Sequence, residues 1–235
     1  MDSVESAKDI SHFIESFKDQ INMNEVKHPL EYFKTFNEFF IRELKPGVRP
    51  IAHVECDDVA VCAADCRLMA FKSIDDSLRL WIKGRKFSVQ GLLGQDISAS
   101  AFMDGTLVIF RLAPQDYHRF HFPVSGFIEQ IVDIPGCLYT VHIFRRIERR
   151  MIEMFIFQPT SILELKLGHK IAFYSFVHGQ LWKKDSIQLD EDLLANSSRS
   201  LETLVRVGTK LGLSTRNVSQ TDFPDVSRCA IDDPK

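Results

Sequence analysis

GTLVIFRLAPQDYHRFHFPVSGFIEQIVDI, Gly105 to Ile134, decides how the chain is read. Both ends are apolar runs of strand length, rich in β-branched and aromatic residues, and each begins at a glycine. The middle is a polar and aromatic connector held between Pro114 and Pro123. Runs of the same kind continue outward as VAVCAA, LRLWIKG, KFSVQGLLG and CLYTVHI, with Gly84, Gly91, Gly94, Gly126 and Gly136 falling between them. Short strands joined by tight turns predict that Ile51 to about Val141 is mainly antiparallel sheet.

Ahead of this sheet the period changes. Phe13, Ile14 and Phe17, then Leu30, Phe33, Phe36, Phe40 and Leu44, recur at three- and four-residue spacing. That predicts two short amphipathic helices, punctuated at Asn24 and His28–Pro29 and ended by Lys45–Pro46–Gly47. Their Phe-rich face reads as core, with a lipid-dipping surface as the rival reading. After the sheet, IFRRIERRMIEMFIF (143–157) has helical spacing with arginines on one side, a basic amphipathic helix. In the tail, Asn196 or Ser197 offers a cap, Leu201, Leu204 and Val205 a stripe, and Gly208 or Gly212 a stop. The expected fold is α+β: N-terminal amphipathic helices packed on a mainly antiparallel sheet, with a C-terminal helix. The expected division is a helical region over 1–50, a sheet-bearing domain over 51–216 and a disordered tail over 217–235.

Composition narrows the function. A net charge of -3 speaks against nucleic acid as a partner. The five cysteines form no CxxC pair, so neither a disulfide framework nor a zinc finger is indicated. No apolar run approaches the roughly 20 residues that span a bilayer, and MDSVESAKDISHF is too polar and acidic for a signal peptide. Membrane contact, where it occurs, is expected to be peripheral.

His118 and His121 are the residues that suggest chemistry. Three readings stand: metal ligands, histidines bonded to strand carbonyls, or a catalytic base. Neither HExxH nor another zinc spacing supports the first, and no metal is expected. The third needs a carboxylate to fix the histidine's tautomer. Asp65, at the end of the apolar run VCAA, is the best candidate, and capping its own turn is the equal alternative.

Longer motifs carry a resemblance. FNEFFIRELKPGVRPI (36–51), CAADCRLMAF (62–71), WIKGRKFSVQGLLG (81–94), FRLAPQDYHRFHFPVSG (110–126), LYTV (138–141) and DEDLLANSSRSLETLVRVGTKLG (190–212) together resemble phosphatidylserine decarboxylase, nearest its eukaryotic endomembrane (type II) branch. The resemblance implies a lipid-metabolising carboxy-lyase, made as a zymogen, that converts phosphatidylserine to phosphatidylethanolamine and CO2. It further implies a pyruvoyl group generated from a serine in a Gly-Ser-Thr or Gly-Ser-Ser motif. On motif position Asp65 and His121 match the pair that activates this serine, with His118 a neighbour in the decarboxylation site. Arg111 and Arg119, and more loosely Lys83 and Arg85, are candidates for a basic rim holding the lipid phosphate. The implied place is the face of an endomembrane of the endoplasmic reticulum, Golgi or vacuole, with self-association a further expectation. Longer relatives can carry domains ahead of the stretch that corresponds to Met1.

The pattern breaks over 143–178, where the family continues with sheet and its cleavage motif. None of the eleven glycines is followed by serine. Leu211-Gly212-Leu213-Ser214-Thr215 imitates the motif, but a leucine separates its glycine from its serine, and it lies beyond the family's cleavage position. Ser214 is therefore read as a decoy. The expectation is a truncated or mis-spliced copy that does not form its cofactor and is inactive as written. The alternative is a non-catalytic relative that binds anionic lipid through its aromatic helices and Arg145, Arg146, Arg149 and Arg150.

Overall fold

The structure is a computed structural model that describes residues 1–73, 99–119, 121–124, 126–132, 160–165, 170–174 and 179–214. Within them are three α-helices, α1 (Lys8–Ser16), α2 (Phe36–Phe40) and α3 (Glu191–Ser198). The strands are β1 (Val59–Val61), β2 (Cys66–Phe71), β3 (Thr106–Arg111), β4 (Gly126–Val132), β5 (Thr160–Leu165), β6 (Lys170–Tyr174), β7 (Gly179–Trp182), β8 (Ile187–Leu189), β9 (Thr203–Val205) and β10 (Lys210–Ser214). They form a three-stranded sheet, β1-β10-β8, and a seven-stranded sheet, β4-β5-β6-β7-β3-β2-β9. All described pairings are antiparallel. The α+β expectation holds.

Both apolar ends of the opening stretch are strands, β3 and β4. Alternation places the residues: Cys66, Leu68 and Ala70 share one face of β2 and are buried, as period-two side chains on a covered sheet must be. They join Val108, Phe110, Trp182, Ile187, Leu193 and Leu211 in a core spanning both sheets and α3. A second core belongs to the N-terminal region, where Ile10, Phe13, Ile21, Val26, Phe33, Phe36, Phe39 and Phe40 pack together. Its rings meet edge to face, Phe13 on Phe36 at 5.1 Å and Phe33 on Phe39 at 5.5 Å. The Phe-rich face is thus core.

Two helical expectations are corrected. The Leu30-to-Leu44 stripe is not one helix but a 3₁₀ turn (Leu30–Tyr32), an extended link and the five-residue α2. Thr35 restarts the helix by accepting the Glu38 N–H at 3.1 Å, and Leu44 leaves it to bridge Val26. The second correction concerns the tail. Asn196 and Ser197 lie inside α3 and cap nothing downstream, while Leu204 and Val205 belong to β9. Here β2 offers an open edge to Val205 at Cys66, and sheet pairing overrides the helical spacing. The basic helix expected over 143–157 lies outside the described residues. Residues 160–165 and 170–174, in the segment that departs from the family pattern, form β5 and β6.

Candidate active site

The site is built where three backbone segments converge at the start of β2. β1 runs into Cys62-Ala63-Ala64, whose small side chains are fully covered and let other segments come close. The 112–124 connector returns alongside it: the His121 N–H donates to the Ala63 carbonyl at 2.7 Å, and the Val61 N–H to that of Pro123 at 2.8 Å. From the other side comes the β9–β10 turn, whose Gly208 N–H donates to the Cys62 carbonyl at 3.0 Å. Gly208 has φ +86°, and a Cβ there would stand 2.3 Å from the Pro50 carbonyl oxygen. Only glycine suits both the left-handed backbone and this approach.

Asp65 is buried at this junction, and its carboxylate is fully engaged. Arg49 donates from Nε to Oδ1 at 3.0 Å and to Oδ2 at 2.9 Å, and from Nη2 to Oδ2 at 2.6 Å. The Val207 N–H adds a bond to Oδ1 at 2.8 Å. The third prong of Arg49, Nη1, donates to Glu25 at 2.8 Å and ties the N-terminal region to the site. Such charge-assisted, forked bonds fix direction as well as charge.

His121 shares a hydrogen bond of 3.2 Å between Nε2 and the Tyr117 hydroxyl, four residues earlier. Partial burial lowers its affinity for a proton; the negative charge of Asp65 works against that shift and Arg119 works with it. The His121 backbone is thus fastened to Ala63, two residues before Asp65 in sequence, while the Asp65 carboxylate's hydrogen bonds go to Arg49 and Val207. His118 is buried, with Nδ1 2.8 Å from the Asp116 carbonyl and its ring centroid 3.8 Å from that of Phe40. Burial raises the affinity of the Asp116 carboxyl and the Tyr117 phenol for their protons. Among the described residues no group of three or more His, Cys, Asp or Glu could hold a metal ion.

Arg42, buried over the Phe39 ring, donates from Nη2 to the Gln115 carbonyl at 3.0 Å. Burial lowers its pKa to about 10, and Asp65 is the first of the charges that oppose this. The proposed rim arginines both have acidic partners. Arg111 forks onto Glu202, bonding Oε1 at 2.6 Å and also Oε2. Arg119 donates to the Ile41 carbonyl at 2.8 Å and lies 3.4 Å from Glu43. Lys83, Arg85 and the four arginines over 145–150 lie outside the described residues.

Ser214 ends β10, the central strand of the small sheet, at the end away from Thr209. Its N–H donates to Asp58 at 2.7 Å, whereas Thr209, five residues back, pairs with Cys62 beside the site. Five residues of strand separate the two ends by roughly 16 Å. Gly212 in the same stretch has a packing reason of its own, since a Cβ there would stand 2.3 Å from the Gln188 carbonyl oxygen.

With this geometry in place, comparison with known proteins is direct. The family model described as phosphatidylserine decarboxylase matches residues 36–200. The chain belongs to the phosphatidylserine decarboxylase family. A rice phosphatidylserine decarboxylase proenzyme 2 is 52% identical over 99% of this chain and 42% of its own length. A Schizosaccharomyces pombe phosphatidylserine decarboxylase proenzyme 3 is 36% identical over 97% of this chain and 27% of its own. A Vibrio campbellii phosphatidylserine decarboxylase proenzyme is 44% identical over 57% of this chain and 46% of its own. The chain thus spans less than half the length of each of these three family members.

The alignments also differ in length from the chain. The rice alignment runs over 265 positions, yet 99% of 235 residues is about 233, so about 32 positions have no residue here. The S. pombe alignment, 259 positions over 97% of the chain, leaves about 31. The V. campbellii alignment covers 57% of the chain in 135 positions, about one more than the residues it contains. This family member therefore lacks about 32 residues that longer-aligned relatives carry, and more than half of it aligns almost without interruption.

Proposed function

We propose that this chain carries the Asp–His half of a phosphatidylserine decarboxylase site, on a protein whose intact form converts phosphatidylserine to phosphatidylethanolamine and CO2 at an intracellular endomembrane. The observation that carries the reading is a buried Asp65, held by Arg49 and the Val207 N–H, two residues after the Ala63 whose carbonyl accepts the His121 N–H. In this reading the negative charge of Asp65 favours protonation of His121, His121 is the base, and His118 is a neighbour fixed against Phe40. No helix among the described residues is long and apolar enough to cross a membrane.

The residues present do not fit a pyruvoyl group. None of the eleven glycines precedes a serine. Among the described residues the hydrogen-bond partners of the Asp65 carboxylate are Arg49 and Val207, and that of the His121 ring is Tyr117; no serine hydroxyl is among them. Ser214 stands at the wrong end of β10. The shortfall of about 32 aligned positions supports an internal loss, which we place in the 143–178 segment. As written, the chain is a decarboxylase family member without its electron sink.

The test is to incubate the purified chain with phosphatidylserine vesicles and assay ethanolamine phospholipid, beside a version in which the rice relative's corresponding block replaces residues 142–183. The exchanged chain is expected to cleave itself and decarboxylate, while the chain as written does neither. Product from the chain as written would overturn the reading.

A further inference from the structure

We infer that Arg49 is a positioning residue of this site: its guanidinium, fastened at one prong to Glu25, aims the Asp65 carboxylate and balances its charge toward His121. The inference rests on the Asp65–His121 reading above and extends it to a residue outside the histidine motif.

The geometry is specific. Arg49 spends Nε and Nη2 on both oxygens of Asp65 and Nη1 on Glu25, so rotation of the fork would break all of these contacts together. The Val207 N–H closes Oδ1 from the other side, at a turn whose Gly208 is pressed on Pro50, the residue next to Arg49. One short piece of chain, Arg49–Pro50, therefore supplies the guanidinium and holds the turn that supplies the amide. Asp65, about one-eighth exposed at its side chain, has its charge offset without an imidazolium. An aspartate bound in this way reaches His121 by its field rather than by a hydrogen bond. His121 bonds the Tyr117 hydroxyl through Nε2, the charges of Asp65 and Arg119 act on its ring, and Arg49 influences it through Asp65.

The experiment is imidazole NMR titration of the full chain, with the His121 signal assigned by its loss in His121→Asn. Variants are Arg49→Gln, Arg49→Lys, Glu25→Gln, Asp65→Asn and the Arg49→Gln/Asp65→Asn pair. With the guanidinium gone, the uncompensated Asp65 should raise the His121 midpoint by about half a unit, the size expected for one charge several ångströms away in a watery medium. Arg49→Lys keeps the charge but not the fork and should raise it less, and it serves alone where Arg49→Gln does not fold. Glu25→Gln should leave His121 where it was, since Glu25 anchors the fork but does not face the imidazole. In the Asp65→Asn background the Arg49 effect should shrink to the guanidinium's own field, the part carried by the carboxylate being lost.

An unchanged midpoint in the Arg49 variants, with a lowered one in Asp65→Asn, would overturn the role of Arg49 and leave the Asp65–His121 pairing intact. An equal Arg49 effect with and without Asp65 would overturn it too, by showing a direct or purely structural influence. No change in Asp65→Asn itself would overturn the pairing, and the present inference with it.

Discussion

Gly208 packs its α-carbon against the Pro50 carbonyl so closely that a methyl group there would stand 2.3 Å from the oxygen. The contact locks the β9–β10 turn to the segment bearing Arg49, and Ala52 reinforces it by donating its N–H to the Gly208 carbonyl at 2.8 Å. The turn and the arginine then reach Asp65 from two sides. Gly208→Ala meets both a left-handed φ and a backbone clash, each disfavoured for alanine. We expect a loss of about 2 kcal/mol or more in urea unfolding, placing it among the larger single-residue effects. Stability within a few tenths of wild type would show that the turn is free to move.

Ser197 joins α3 to the sheet. β9 is only three residues long, so the Ala70 N–H on β2 projects beyond its end, and the Ser197 hydroxyl accepts it at 2.9 Å while donating to the Leu193 carbonyl at 2.7 Å. Ser197→Ala strands a buried amide and should cost about 1–3 kcal/mol. Ser198→Ala, whose exposed hydroxyl donates only to the Ala195 carbonyl at 2.9 Å, should cost less than about 0.5 kcal/mol. Equal midpoints for the two variants would refute this division.

His121 makes stability depend on pH with a definite sign. Its folded pKa lies below the ordinary 6.5, so the unfolded chain takes up this proton first as pH falls. The contribution is complete above the unfolded value and is lost as pH drops through 6.5 toward the folded pKa. Denaturation midpoints measured from pH 8 down to 5 should therefore fall more steeply for wild type than for His121→Asn. Parallel curves would mean that His121 titrates alike in both states.

The described thiols differ in reach. Burial pushes the Cys62 thiol up to about 12, with Asp190 adding to it, and raises Cys66 in the same sense. Cys56 is partly exposed. Alkylation at mildly alkaline pH, mapped by mass spectrometry, should modify Cys56 first and reach Cys62 and Cys66 only through unfolding. Comparable early labelling of all three would contradict the burial of Cys62 and Cys66 in the core shared by the two sheets.

Much of this was legible in the sequence, and the exceptions have physical causes. Strands showed because apolar runs bounded by glycine are local signals, as in β3 and β4. The Leu30–Leu44 stripe misled because period alone cannot see that Thr35 begins a new helix or that Leu44 pairs with Val26. Leu204 and Val205 misled because an open β2 edge, far away in sequence, decides their state. At the site, His118, His121 and Asp65 stand out by residue type and motif. Arg49 and Glu25 do not, since a forked ion pair between residues 16 and 24 positions apart leaves no periodic trace. Tyr117 could have been found, as its hydroxyl serves the histidine four residues on within the same YHRFH run.

On the function proposed above, this family member keeps Asp65 and His121 without a serine for them to activate. Intact-mass spectrometry of the purified chain, with every N-terminus mapped, tests it most directly. One uncut species at the 27.0 kDa of the full sequence is expected. Two fragments, the smaller with a pyruvoyl-blocked N-terminus, would contradict it.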